Sequence, residues 1–106
     1  MDAKEFVANW DALRAELLAA FTAPDAPSEV AAKVRAMGLS AEQSVQMQGI
    51  LDTAIKDTMV ALLLGLDGEA SIGDSQQAFT ITNEDGTVIQ GIEEAAWERF
   101  HGAAGQ

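Results

Sequence analysis

Apolar residues recur along the first part of the chain at helical spacing. Phe6, Trp10, Leu13, Leu17 and Phe21 follow one another at steps of four, three, four and four, which sets them on one stripe of a helix. The spacing predicts a first helix over Ala3 to Thr22, capped by Asp2 and stopped at Ala23-Pro24, because the residue before a proline avoids helical angles. That stripe is read as core packing rather than as a ligand platform. Pro24, Asp25, Ala26 and Pro27 form a rigid connector. Ser28 then caps a short second helix with Val30, Val34 and Met37 inward, Glu29 and Lys33 as a supporting pair four apart, and Gly38 just past its end.

Ser40-Ala41-Glu42-Gln43 reads as a capping box, in which the serine oxygen accepts a backbone N–H and the glutamine reaches back. A long third helix is predicted over Ala41 to Leu64, with Met47, Leu51, Ala54, Ile55, Thr58, Met59 and Leu62 on its inner side. From Val60 to Leu64 it is apolar all round, so its C-terminal half is expected to be the most buried element. Gly49 lies inside it, weakening the helix by about 1 kcal/mol relative to alanine and permitting close packing.

After Gly65 the chain turns small, acidic and glycine-rich as far as Ser75, and is read as loop. Phe79 to Thr82 and Val88 to Gln90 alternate around Asn83-Glu84-Asp85-Gly86, which predicts a two-stranded β-hairpin closed by a type I turn and a left-handed glycine. In that register Asn83 faces Thr87 and Ile81 faces Ile89. Phe79, Ile81 and Ile89 would pack on the helices, as an isolated hairpin is unstable. Ile92, Ala96, Trp97 and Phe100 mark a short final helix over Ile92 to His101, and residues 102 to 106 are expected to fray. The fold class read from this pattern is α+β, mainly α: three N-terminal helices packed with a C-terminal hairpin and a short last helix. At 106 residues a single domain is expected, with residues 1–66 as helical scaffold and 67–101 as acidic loop, hairpin and short helix.

Composition adds constraints. An apolar content of 48% excludes intrinsic disorder, while the small size implies modest stability and allows a homodimer. No cysteine is present, which removes disulfides and thiolate zinc sites. The longest unbroken apolar stretch, Val60 to Leu64, is far too short to span a bilayer, and the N-terminus shows no basic region before an apolar run, so a cytoplasmic location is expected. Seventeen acids and six bases give a net charge of −11. Residues 1–66 hold nine acids and five bases, and residues 67–106 hold eight acids and one base, so the C-terminal 40 residues carry −7 of it. Such a surface repels nucleic acid and anionic lipid and favours basic proteins or cations.

Catalytic chemistry finds little support. Serine hydrolysis needs a base beside the nucleophile, yet the one histidine is His101, and in Gly68-Glu69-Ala70-Ser71-Ile72-Gly73 the first glycine stands one position too early for a nucleophile elbow. Glu98 and His101 have the Glu-x-x-His spacing of di-iron bundles, but such a site needs a second pair. Asp67, Glu69 and Asp74, or Asn83 and Asp85, offer oxygen ligands in glycine-containing loops. Neither follows the EF-hand template, whose glycine falls on Ile72 or on Val88.

The run Leu63-Leu64-Gly65-Leu66-Asp67-Gly68-Glu69-Ala70-Ser71-Ile72-Gly73, followed by Gln76-Gln77 and Asp85-Gly86 and preceded by Phe6, Asn9, Trp10 and Leu13, resembles a family of small acidic bacterial proteins of uncharacterised function. The resemblance spans most of the chain and supplies no catalytic residues. In size and charge the chain is also similar to antitoxins and immunity proteins, an analogy that does not fix function. The leading expectation is a non-enzymatic, protein-binding module without cofactor or metal, which meets a basic partner through Asp67, Glu69, Asp74, Glu84, Asp85, Glu93 and Glu94. Two alternatives stand beside it. One is an acidic nucleic-acid mimic that inhibits a DNA-binding protein, and the other is a cation-dependent enzyme or calcium-binding domain built on the Asp67 to Asp74 loop.

Overall fold

The computed structural model describes residues 1–102; of the tail expected to fray over 102–106, Gly102 belongs instead to a π-helical turn and 103–106 lie outside the described residues. Four α-helices follow in order: α1 (Ala3–Thr22), α2 (Glu29–Ala36), α3 (Ala41–Leu66) and α4 (Ile92–Trp97), the last running into a π-helical turn over Glu98–Gly102. Their ends are fixed by local chemistry. The Asp2 carboxylate accepts the Glu5 N–H at 2.9 Å. Ser28 Oγ accepts the Ala31 N–H at 3.1 Å and also donates to the Ala20 carbonyl, tying the start of α2 to α1. Gln43 N–H donates to Ser40 Oγ at 3.2 Å while Ser40 N–H donates to Gln43 Oε1 at 2.9 Å, the reciprocal box that opens α3.

α3 runs two residues past its expected end and stops at a left-handed glycine. With Gly68 at φ +80°, the Glu69 N–H reaches the Leu64 carbonyl at 2.9 Å and the Gly68 N–H reaches that of Gly65 at 3.2 Å. This paired closure satisfies carbonyls that the helix end would leave open.

The predicted β-hairpin is absent: the described residues contain no strand. Thr82 and Val88 form an isolated bridge, with Asn83 N–H to the Thr87 carbonyl at 3.0 Å and Ile89 N–H to that of Ile81 at 2.8 Å. The facing residues are those the alternation pairs, but the pairing goes no further. The reason lies in the turn. The Thr87 N–H, which a ladder would direct to the Asn83 carbonyl, is taken by Asn83 Oδ1 at 3.1 Å and Asp85 Oδ1 at 2.9 Å. Local side-chain acceptors thus replace ladder bonds. Gly91, at φ +79°, then turns the chain into α4 directly after Gln90. The fold is therefore mainly helical, with a long irregular segment between α3 and α4 in place of the hairpin.

The chain divides into two units, Met1–Asp11 with Asp57–Gln106, and Ala12–Lys56, the divisions falling inside α1 and α3. The first unit holds a core of Val7, Met59, Val60, Leu63, Ile89, Ile92, Ala95, Ala96 and Phe100. In the C-terminal half of α3 Met59, Val60, Leu63 and Gly65 are buried, but Ala54, Thr58 and Leu62, expected inward, are exposed, and Phe79, assigned to the core from alternation, is 48% exposed. Trp97 is exposed as well, and its ring lies 4.9 Å from that of His101. On α1 the fully buried residue is Val7, while Phe6 and Trp10, with ring centroids 6.1 Å apart, are half-buried. In the second unit the buried residues are Ala26 and Ala31, whereas Leu13 and Met37, expected inward, are exposed. Within it Arg14 pairs with Asp52, and Arg35 donates to the carbonyls of Pro24 at 3.3 Å and Ala26 at 2.9 Å, bracing the proline connector.

Candidate partner-binding site

Three of the seven acids proposed from sequence meet where α3 ends and α4 begins. Asp67 follows the last residue of α3, and Glu69 stands just beyond the Gly68 closure. Glu93 is in the first turn of α4. Asp67 Oδ2 accepts the Glu93 backbone N–H at 2.9 Å, a cap that Gly91, having no side chain, cannot supply. The Glu93 carboxyl is held above its ordinary value, chiefly because burial strips it of water. The charges of Glu69 and Asp67, a hydrogen bond with Glu69 and the charge of Glu94 raise it further.

The remaining acids are placed differently. Asp74 is exposed, in a turn that Gly73 (φ +72°) shapes and the Ile72–Ser75 bridge closes. Glu84 and Asp85 stand in the Asn83–Gly86 turn, beside a groove that they line with Met1, Phe6 and Ile89. Asp85 is held below its ordinary value, first by its hydrogen bonds from Thr87. Its charge is thereby locked into the turn, whereas Glu93 is crowded by like charge. Among the described residues no group of three or more His, Asp or Glu side chains is arranged to hold a metal ion.

Sequence reading did not single out Lys4 and Arg99. These two bases line one groove with Ala95 and Glu98, and Arg99 Nε donates to Asp11 at 2.8 Å. No spacing rule joins positions so far apart. In the unit that contains the cluster, twelve acids face two bases, a net −10, whereas Ala12–Lys56 has five acids and four bases, a net −1. Among the described residues no helix is long and apolar enough to cross a membrane.

Comparison with family models, with curated proteins and with solved structures finds no match to this chain.

Proposed function

We propose that this chain is a non-enzymatic protein-binding module that captures a basic partner on the cluster of Asp67, Glu69 and Glu93, with Glu94 beside it. Immunity and antitoxin proteins are the concrete example of such a task. The observation that carries the reading is the Asp67–Glu93 bond, which brings the first turn of α4, with Glu93 and Glu94, to the end of α3 beside Glu69. Backbone closure at Gly68 and the Asp67–Glu93 bond hold these carboxylates near one another despite their repulsion. A lysine or arginine from a partner would relieve that repulsion, and the −10 of the surrounding unit would speed its approach.

The test is capture from an extract of the source cells on immobilised wild-type protein, beside the Asp67→Asn/Glu69→Gln/Glu93→Gln variant. The expected result is a basic protein retained at low salt by the wild type, released by high salt and not retained by the variant. If both columns hold the same proteins, or salt leaves retention unchanged, the reading fails.

A further inference from the structure

The first half of α3 presents a face that nothing in its own unit covers. From Gln43 to Leu51 nine consecutive residues carry no charge, although seven of them are exposed, and on the side centred on Gly49 these include Val45, at 68%, and Gln46. About a quarter to a third of the residues on a water-facing surface are normally charged, and this exposed run has none. Gly49 sits in the middle of the run, and a Cβ built there meets nothing within 4 Å. Its lack of a side chain therefore serves no packing inside this chain. It leaves a flat place where another backbone can come close.

The charges that bound this face are arranged about Gly49. Glu42 lies seven residues before it and Lys56 seven after it, all within α3. Steps of seven return to nearly the same side of a helix, with a drift of about 20° per step, so Glu42, Gly49 and Lys56 form one line with Val45 and Thr53 on either side. Asp52, near that line, is already matched by Arg14 of the same chain.

We infer that this face pairs with the same face of a second copy of the chain, the two α3 helices running antiparallel and crossing at Gly49. In that arrangement Glu42 of each copy opposes Lys56 of the other, giving two equivalent ion pairs, and Val45 of each packs on Thr53 of the other. A parallel pairing would set glutamate on glutamate and lysine on lysine. The distribution of charge favours this face for self-association. Two copies repel through the −10 of one unit, whereas Ala12–Lys56 carries only −1. A contact symmetric about a two-fold axis must be self-complementary, and the Glu42–Gly49–Lys56 line has that property.

Sedimentation tests the pairing. With rising concentration the wild type should pass from 11.2 kDa to twice that mass. Glu42→Lys alone, or Lys56→Glu alone, places like charges at both contacts and should weaken self-association at least about tenfold. An equal mixture of the two variants restores opposite charges at both contacts and should sediment as a dimer. Gly49→Leu adds bulk where the chain itself leaves space, and should keep its helical circular dichroism while losing the dimer. A wild type that stays at 11.2 kDa throughout overturns the inference. So do single variants that associate like the wild type, a mixture that remains monomeric, or a Gly49→Leu dimer as tight as the original.

Discussion

Asp67 Oδ2 accepts the backbone N–H of Glu93 at 2.9 Å, so the residue that leaves α3 caps the helix that begins 25 positions later. This single bond closes the long irregular segment on itself. Asp67→Ala removes the acceptor and is expected to cost about 1 kcal/mol, the usual value of a lost helix cap. Asp67→Asn keeps a side-chain oxygen at the same place and removes one charge facing Glu93, so it should cost clearly less. Urea denaturation of both variants checks the order. An alanine variant as stable as the wild type would show that the bond does not hold α4.

Glu93 supplies a dependence on pH whose sign is fixed by its surroundings. Its carboxyl is raised in the folded chain, first by loss of water and then by Glu69 and Asp67, so the folded state binds its proton more tightly than the unfolded state does. Stability from this group is therefore greatest in acid and declines as pH climbs from the ordinary carboxylate value to the raised one. Glu93→Gln abolishes the ionisation. Its melting temperature should exceed that of the wild type at neutral pH, and the difference should close in acid. A difference that stays constant with pH would refute the crowding of these three carboxylates.

Some of this was legible in the sequence because it is local. Asp2, Ser28, Ser40 and Gln43 each announce a helix start through a partner three residues away, and the structure shows all of these bonds. The hairpin was misread for a reason of the same kind. Alternation at Phe79 to Thr82 and Val88 to Gln90 is short, and the Asn83 and Asp85 side chains take the N–H that a ladder requires. The candidate site was half legible. Counting acids places the charge after residue 66, but the meeting of Glu69 with Glu93 depends on the α3 closure and the α4 cap together, and Asp74 has the same composition around it without joining them. The bare face about Val45 and Gly49 was invisible to the periodicity, which marks only the opposite side through Met47, Leu51 and Ile55.

Asp85 is expected to behave in the opposite sense to Glu93. Hydrogen bonds from Thr87 favour its ionised form and lower its carboxyl in the folded chain. The stability it supplies is complete above the ordinary carboxylate value and is lost as pH falls through the lowered one. The deficit of Asp85→Ala against the wild type should accordingly be largest near neutrality and shrink in strong acid. A direct titration by NMR should find the Asp85 midpoint below that of an exposed aspartate. A midpoint at or above the exposed value would remove the turn as its cause.

Gly65 and Ile72 give the most demanding test of the segment that replaces the hairpin. Gly65 is buried near the end of α3, and a Cβ placed on it would collide with Ile72 Cγ1 and stand 2.9 Å from Cδ1. Alanine favours a helix over glycine by about 1 kcal/mol, while forcing an extra carbon into an occupied place costs roughly 1–3 kcal/mol. The second effect should win, leaving Gly65→Ala destabilised by about 1 kcal/mol on balance. In an Ile72→Ala background the obstructing atoms are gone, and the same change should then stabilise the chain by up to about 1 kcal/mol. The double-mutant cycle therefore carries a coupling of at least about 1 kcal/mol between two residues seven apart, one in the helix and one in the loop. Equal effects of Gly65→Ala in both backgrounds would mean that Ile72 does not lie on α3 in solution.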